Sequence, residues 1–242
     1  MIDEWTNRMK SNNVTFYLRG DSVTTSGSRL SSTLNNSIAP TIFTAGPEAL
    51  DIVRIKHSTT YWKKASVKAT VDAVLSFNAK QDIVNACGGQ AKYVEYLLQD
   101  SVDDNLQWKS DIDSNHPLKK VCDYVDEWLS GRHTNKNQTF NLGDKLVGLT
   151  EAPFGLFQSY APMAMVAFAM RKYVNQIFDT NGKQRSSQHL VDDVVEMFKA
   201  WEAGRTSNKL NFMFESKEAG KLCKHLISMF ALKKLKGYSD IS

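Results

Sequence analysis

The chain has 242 residues, of which 42% are hydrophobic and 23% charged, and it carries a formal net charge of +4. That length and composition can bury a sizeable core and exclude global disorder, while the mildly basic balance permits contact with a polyanion without requiring it. Three cysteines, Cys87, Cys122 and Cys223, are too few and too far apart for a disulfide framework.

The opening MIDEWTNRMK places two acids ahead of any base and has no apolar run, so it does not read as a secretory signal. With free thiols, this predicts a protein of the reducing cytoplasm. NVTFYLRG then alternates over a few residues as a short strand. The polar stretch from Gly20 to Ser32, GDSVTTSGSRLSS, reads as turn-rich punctuation. Its GDS triplet resembles a serine-hydrolase box only superficially, because no matching aspartate–histidine motif follows.

Short helices are expected over Leu30 to Asn36, Glu48 to Ile55, Ala65 to Phe77 and, after the Gly88-Gly89 break, Gln90 to Gln99. A polar stretch from Gln107 to Asn115 follows. The clearest pattern is HPLKKVCDYVDEWLSG. Leu118, Val121, Cys122, Val125, Trp128 and Leu129 fall at helical spacing on one face, with Lys119, Lys120, Asp123, Asp126 and Glu127 on the other. Pro117 suits the first helical position and Gly131 a helix end. Residues Gly131 to Gly143 form the expected boundary between two helical lobes, 1–131 and 144–242.

Within the second half, TEAPFGLFQSYAPMAMVAFAMRKYVNQIF contains ten residues, Ala161 to Met170, without a polar side chain. A membrane span needs about 20 consecutive apolar residues, and Arg171 and Lys172 close this run early. A stretch apolar on all sides for three turns is instead a buried core helix, expected from about Leu156 to Phe178. A serine-capped helix follows at 188–203, with Leu190, Val194, Met197, Phe198 and Trp201 inward and Gly204 as its stop. KLNFMFES alternates as a second short strand. The last helix, 216–231, turns Ala219, Leu222, Cys223, Leu226, Ile227 and Phe230 inward.

No P-loop, GxGxxG, GxSxG or HExxH motif is present. His57, His116, His133, His189 and His225 are scattered, and Cys223 and His225 are two apart on a helix, so they face different directions and share no metal. Between Asp100 and Glu127 lie eight acids and three lysines. The calcium-loop pattern is absent there, which favours a solvated face or a partner-binding patch. Between Lys217 and Lys236 lie six lysines against one glutamate. Lys217, Lys221, Lys224, Lys233, Lys234 and Lys236 are therefore the candidate nucleic-acid or partner-binding residues, since such a cluster contacts phosphates. No catalytic residue, metal ligand or cofactor is assigned.

Read together, LSSTLNNSIAPTIF…GPEALDI and TEAPFGLFQSYAPMAMVAFAMRKYVNQIF resemble the helical region that follows the ATPase core in very large bacterial NTPases of phage-defence islands, of the BREX ATPase type. Those chains similarly carry a serine-led helix ending in a proline, here Ser31 to Pro40. They also carry a P-F/Y-G-L turn leading into an apolar helix that ends in basic residues, here Pro153 to Arg171. The resemblance implies a non-catalytic module of a longer protein, with the nucleotide-binding residues elsewhere; with no Walker motif here, ATP binding is carried onto no residue of this chain.

The expectation is thus a mainly α fold of two packed helical lobes with at most a minor β-hairpin. The function expected is that of an interaction or scaffold module whose partner is another protein or the remaining domains of a larger chain, with no membrane contact. The alternative is a nucleic-acid-binding module using the basic C-terminal helix. A metal-dependent hydrolase built on the Asp100 to Asp113 acids is the third and weakest possibility.

Overall fold

The computed structural model describes residues 12–18, 20–50, 64–130 and 138–214, together with positions 225 and 229. Within them the fold is mainly α, with two small antiparallel sheets.

Strands β1 (Asn13–Leu18) and β2 (Asp21–Ser26) form a hairpin, in register from Asn13↔Ser26 to Leu18↔Asp21. Gly20, at φ +94°, supplies the backbone conformation that so short a connection demands. The polar run after Gly20 is therefore a strand and not only a turn. Its Val23, Thr24 and Thr25 are β-branched, and Thr15 and Thr24 hydroxyls bond across the pair at 2.9 Å. The next helix runs further than expected. It begins as α1 (Leu30–Thr33), passes through a π-helical turn at Leu34–Ile38 and continues as α2 (Ala39–Ile42). The wide turn closes with the Ala39 N–H on Leu34 O, so that Pro40 enters at the start of a new turn, where its missing N–H leaves no bond unmade. The helix expected over 48–55 shows only the 3-10 turn Pro47–Ala49, and its remainder from residue 51 lies outside the described residues.

Helix α3 (Lys64–Ser76) buries Val67, Thr70, Val71 and Val74, one helical stripe. A short helix that periodicity did not suggest, α4 (Lys80–Ala86), buries only Ile83. Helices α5 (Ala91–Gln99) and α6 (Pro117–Leu129) follow, and α6 buries Leu118, Val121, Val125 and Leu129 as its spacing predicted. Strand β3 (Phe140–Asn141) runs into a single turn, α7 (Leu142–Lys145), capped by the Asn141 side chain.

The apolar run forms α8 (Tyr160–Met170), and all eleven of its residues are buried. It is shorter than the expected 156–178. Upstream, the loop carries a cis Ala152-Pro153 bond and Gly155 at φ +61°. Downstream, the 3-10 turn Arg171–Tyr173 is followed by Asn175 at φ +61°, a left-handed residue that ends a helix. Ile177 and Phe178 then belong to strand β4 (Ile177–Asp179). Helix α9 (Ser187–Glu202) opens with a capping box in which His189 stands in the usual glutamate position: its Nδ1 accepts from the Ser186 N–H at 3.3 Å. Strand β5 (Asn211–Phe214) lies between β3 and β4, giving the order β3-β5-β4. Two small sheets thus form where at most a minor hairpin was expected: β1 pairs with β2, and the expected strand near residue 212 is β5, whose sheet is drawn together by Phe140, Phe212 and Phe214 with rings 5.2 to 6.5 Å apart.

Among the described residues four helices surround α8: α3 and α6 most extensively, then α5 and α9. The helix expected at 216–231 lies outside the described residues except for positions 225 and 229. Ala161, Ala164, Ala167 and Ala169 let these neighbours come close, and Met163, Val166 and Met170 fill the gaps between them. Burying each of these larger side chains contributes about 1.5–3 kcal/mol. The buried apolar cluster that results extends from Ala45 to Phe212. Arg171, directly after α8, donates to Val74 O and Phe77 O and to Asn78 Oδ1, meeting carbonyls that the end of α3 leaves open.

Candidate functional site

The six lysines singled out in the sequence, Lys217, Lys221, Lys224, Lys233, Lys234 and Lys236, all lie outside the described residues, where only the exposed His225 and Met229 are placed.

The acidic segment, by contrast, is fully described, and it divides into two parts. Asp123, Asp126 and Glu127 lie on α6. Asp126 is no bystander on a solvated face. It accepts from Lys172 Nζ and from the Tyr173 hydroxyl, each at 2.8 Å, and so ties α6 to the end of α8. Burial, and then this bond to Asp126, hold the Tyr173 phenol far above its ordinary range. Asp123 forms an i,i+4 pair with Lys119 at 3.1 Å.

The other part is the loop from Asp100 to His116, between α5 and α6. Asp103 Oδ1 accepts the N–H groups of Asn105 and Gln107, each at 2.9 Å, and Asp113 Oδ1 accepts that of Asn115 at 2.8 Å. These carboxylates shape their own turns. At the end of the loop His116 Nδ1 accepts the Leu118 N–H at 3.2 Å and caps α6. Burial lowers the pKa of this imidazole, which keeps it in the neutral form that the cap needs. Among the described residues no three His, Cys, Asp or Glu side chains are placed to hold a metal ion.

Trp108 stands at the middle of this loop, 39% exposed. A bridge between Val102 and Trp108 and the bond from Lys109 Nζ to Gln99 O at 2.7 Å hold it in place. Its ring meets Phe168 of α8 edge-on at 5.7 Å, and Lys119 Nζ lies 5.7 Å from its centroid. All five loop aspartates, Asp100, Asp103, Asp104, Asp111 and Asp113, are exposed, and Asp104 pairs with Lys80 at 3.0 Å. The acids stand out in the sequence as a cluster of like charge, whereas the tryptophan follows no periodic pattern.

A cleft of about 300 Å³ opens at the C-terminal end of α9, walled by Trp201, Val147 and Thr150, with Asp144, Arg205 and Thr206 at its polar side. The Trp201 indole donates to Gly143 O at 3.0 Å, and the Thr206 hydroxyl to Asp144 Oδ1 at 2.9 Å. Sequence reasoning treated Trp201 only as part of a core stripe. The polar side chains around it are dispersed along the chain and share no spacing that could have flagged them.

A buried ion pair joins α9 to the turn that precedes it. Arg185 donates to both Asp193 oxygens, at 3.0 and 2.6 Å, and lies 5.5 Å above the Phe212 ring. Burial pushes the Asp193 carboxyl up to about 6 in spite of the arginine. The pair fastens the Asp179–Arg185 turn to α9 and has the geometry of a structural clamp. No helix among the described residues is long and apolar enough to cross a membrane. Compared with known proteins, the chain matches no family model, no curated protein and no solved structure.

Proposed function

We propose that this chain is a non-catalytic interaction module of a larger bacterial phage-defence-type NTPase, acting in the cytoplasm. The observation that carries the reading is the Asp100–His116 loop, which holds a half-exposed Trp108 among five exposed aspartates. A part-exposed aromatic side chain in a loop rich in exposed acids is the pattern of an interface anchor that favours a partner surface of opposite charge. The resemblance of Ser31 to Pro40 and Pro153 to Arg171 to the region beyond an NTPase core supplies the partner class. The finer architecture proposed with it is two helical lobes, 1–131 and 144–242, packed on a shared core.

The test uses the ATPase-bearing protein encoded in the same or the adjoining reading frame. The isolated chain is expected to hydrolyse no ATP and to bind that ATPase, with Trp108→Ala lowering the affinity about tenfold, or ~1.4 kcal/mol. Unchanged affinity in a folded Trp108→Ala protein removes the loop as the contact surface. Turnover by the isolated chain ends the non-catalytic reading.

The second reading is nucleic-acid binding through Lys217, Lys221, Lys224, Lys233, Lys234 and Lys236, favoured by six lysines against one glutamate within that segment. Gel-shift titrations at two salt concentrations decide it, because phosphate contacts weaken steeply with salt. No shift at low salt removes it.

A further inference from the structure

The cleft at the C-terminal end of α9 holds two opposite charges that do not pair with each other. Asp144 and Arg205 both line it. Asp144 accepts the Thr206 hydroxyl on Oδ1 at 2.9 Å, which leaves Oδ2 open. The carboxylate that Arg205 meets is that of Glu196, at 3.8 Å, too long for a hydrogen bond. Glu196 Oε1 already accepts the Ser207 hydroxyl at 2.8 Å. The Arg205 side chain is 57% exposed and keeps its N–H groups for another acceptor.

The backbone fixes where both charges stand. Asp144 lies on the single turn α7, whose cap residue Asn141 also donates to Ser207 O at 2.9 Å, so that this turn and the segment after α9 are held together. Gly204, at φ +59°, ends α9 in a left-handed conformation, and the Arg205 N–H returns to Ala200 O at 3.0 Å. Arg205 directly precedes the residue bonded to Asp144, and both charges line one cleft, within reach of one small molecule. Much of the remaining wall is apolar: Ala200, the half-buried Trp201 and Val147, which is 46% exposed. A volume of about 300 Å³ falls at the lower end of the range for small-molecule sites, which suits a metabolite and excludes a folded partner.

We propose that this cleft binds a free α-amino acid with an apolar side chain, its carboxylate on Arg205, its ammonium on Asp144 and its side chain against Trp201 and Val147. An α-amino acid carries both charges on one carbon, next to its apolar group. The planar guanidinium fork matches a carboxylate with two parallel hydrogen bonds, and the open Asp144 oxygen accepts from an ammonium. Two carboxylates, Asp144 and Glu196, against one guanidinium disfavour a simple anion, and the guanidinium disfavours a simple cation. An indole beside an exposed valine offers the ligand's side chain apolar surface to cover. The inference goes beyond the interaction reading and rests on other residues.

Calorimetry on the full chain tests it with L-leucine and L-phenylalanine. Each is compared with the same molecule lacking its carboxylate (isoamylamine, phenethylamine) and lacking its ammonium (isocaproate, phenylpropionate). At least one amino acid is expected to bind with a Kd of about 1 mM or tighter. Its two analogues should bind about tenfold more weakly or worse, because each leaves one charge of the cleft without its partner. Arg205→Gln and Asp144→Asn alter exposed side chains, and asparagine still accepts the Thr206 hydroxyl, so both are expected to keep the wild-type melting temperature. Each should weaken amino-acid binding about tenfold or more. If a variant melts lower, the Trp201 indole N–H resonance of wild type decides, since a ligand in this cleft must shift it. The proposal is overturned if neither amino acid binds, if an analogue binds as tightly as its parent, if binding survives either substitution, or if the Trp201 resonance does not move.

Discussion

At Gly155 the backbone takes φ +61°, and a Cβ placed there would run into the ring of Phe43. Two costs follow for Gly155→Ala: the left-handed conformation, about 1–2 kcal/mol, and displacement of a packed aromatic, about 1–3 kcal/mol. The variant is expected to lose stability in denaturant unfolding. Combining it with Phe43→Ala should recover the steric part and leave the backbone part. A double variant no better than the sum of the singles would show that Phe43 does not close on this turn. Asp193 offers a second residue-scale test, through pH. Burial lifts its carboxyl from the ordinary 3.8 to about 6 in the folded state, so the native state holds this proton more tightly than the unfolded chain does. The stabilisation is therefore complete below about pH 4 and lost as pH rises through about 6, for a difference of up to ~3 kcal/mol. His189 titrates with the opposite sense on the same helix, since its pKa is lowered, chiefly by burial. The measurement is accordingly the stability of wild type minus that of Asp193→Asn, which removes the common histidine contribution. That difference should grow as pH falls from 7 to 4, and a flat difference would show that Arg185 keeps the carboxylate ionised.

Among the elements, α8 carries the heaviest structural demand. Val166 is fully buried at its centre, with helices on four sides. Val166→Asp leaves a charge with no partner and costs about 3–5 kcal/mol, against a total stability of about 5–15 kcal/mol for a typical domain. Loss of the cooperative melting transition is expected, and an unchanged melting temperature would place this residue outside the core. Such a helix is legible in the sequence because nothing but burial explains ten successive apolar residues. Helices α6 and α9 are legible because their two faces differ so sharply in polarity. The misses have physical causes as well. Strand β2 carries mostly serine and threonine and lies largely exposed, so no apolar alternation marks it. Strand β4 follows directly on a helical pattern, and the residue that separates them, Asn175, acts through a backbone angle that composition does not display. Helix α4 buries a single side chain, too little for a period to register. For the candidate sites the sequence showed charge and not geometry. The loop acids were visible, whereas Trp108 takes its meaning from what surrounds it after folding.

For the whole molecule the deciding fact is where the partners of α8 come from. Helices α3, α5 and α6 precede residue 131, while α8 itself and α9 follow residue 143. A fragment of residues 144–242 would therefore expose most of the surface that α8 buries, and a fragment of residues 1–131 would lose the helix around which α3, α5 and α6 are arranged. The longer-range polar ties point the same way: Arg171 caps α3, Lys172 and Tyr173 hold Asp126 of α6, and Lys68 pairs with Asp192 of α9 at 2.7 Å. Exposed pairs such as the last contribute little, about 0–1 kcal/mol, so apolar burial decides the outcome. Each fragment alone is expected to melt without a cooperative transition and to expose apolar surface to a dye such as ANS. Mixed in equal amounts, they should recover a single sigmoidal melt, because the shared core then forms across the break. Cooperative melting of either fragment alone would show that its lobe stands as an independent domain, and that the packing between the halves stabilises an assembly of two folded units instead of creating one.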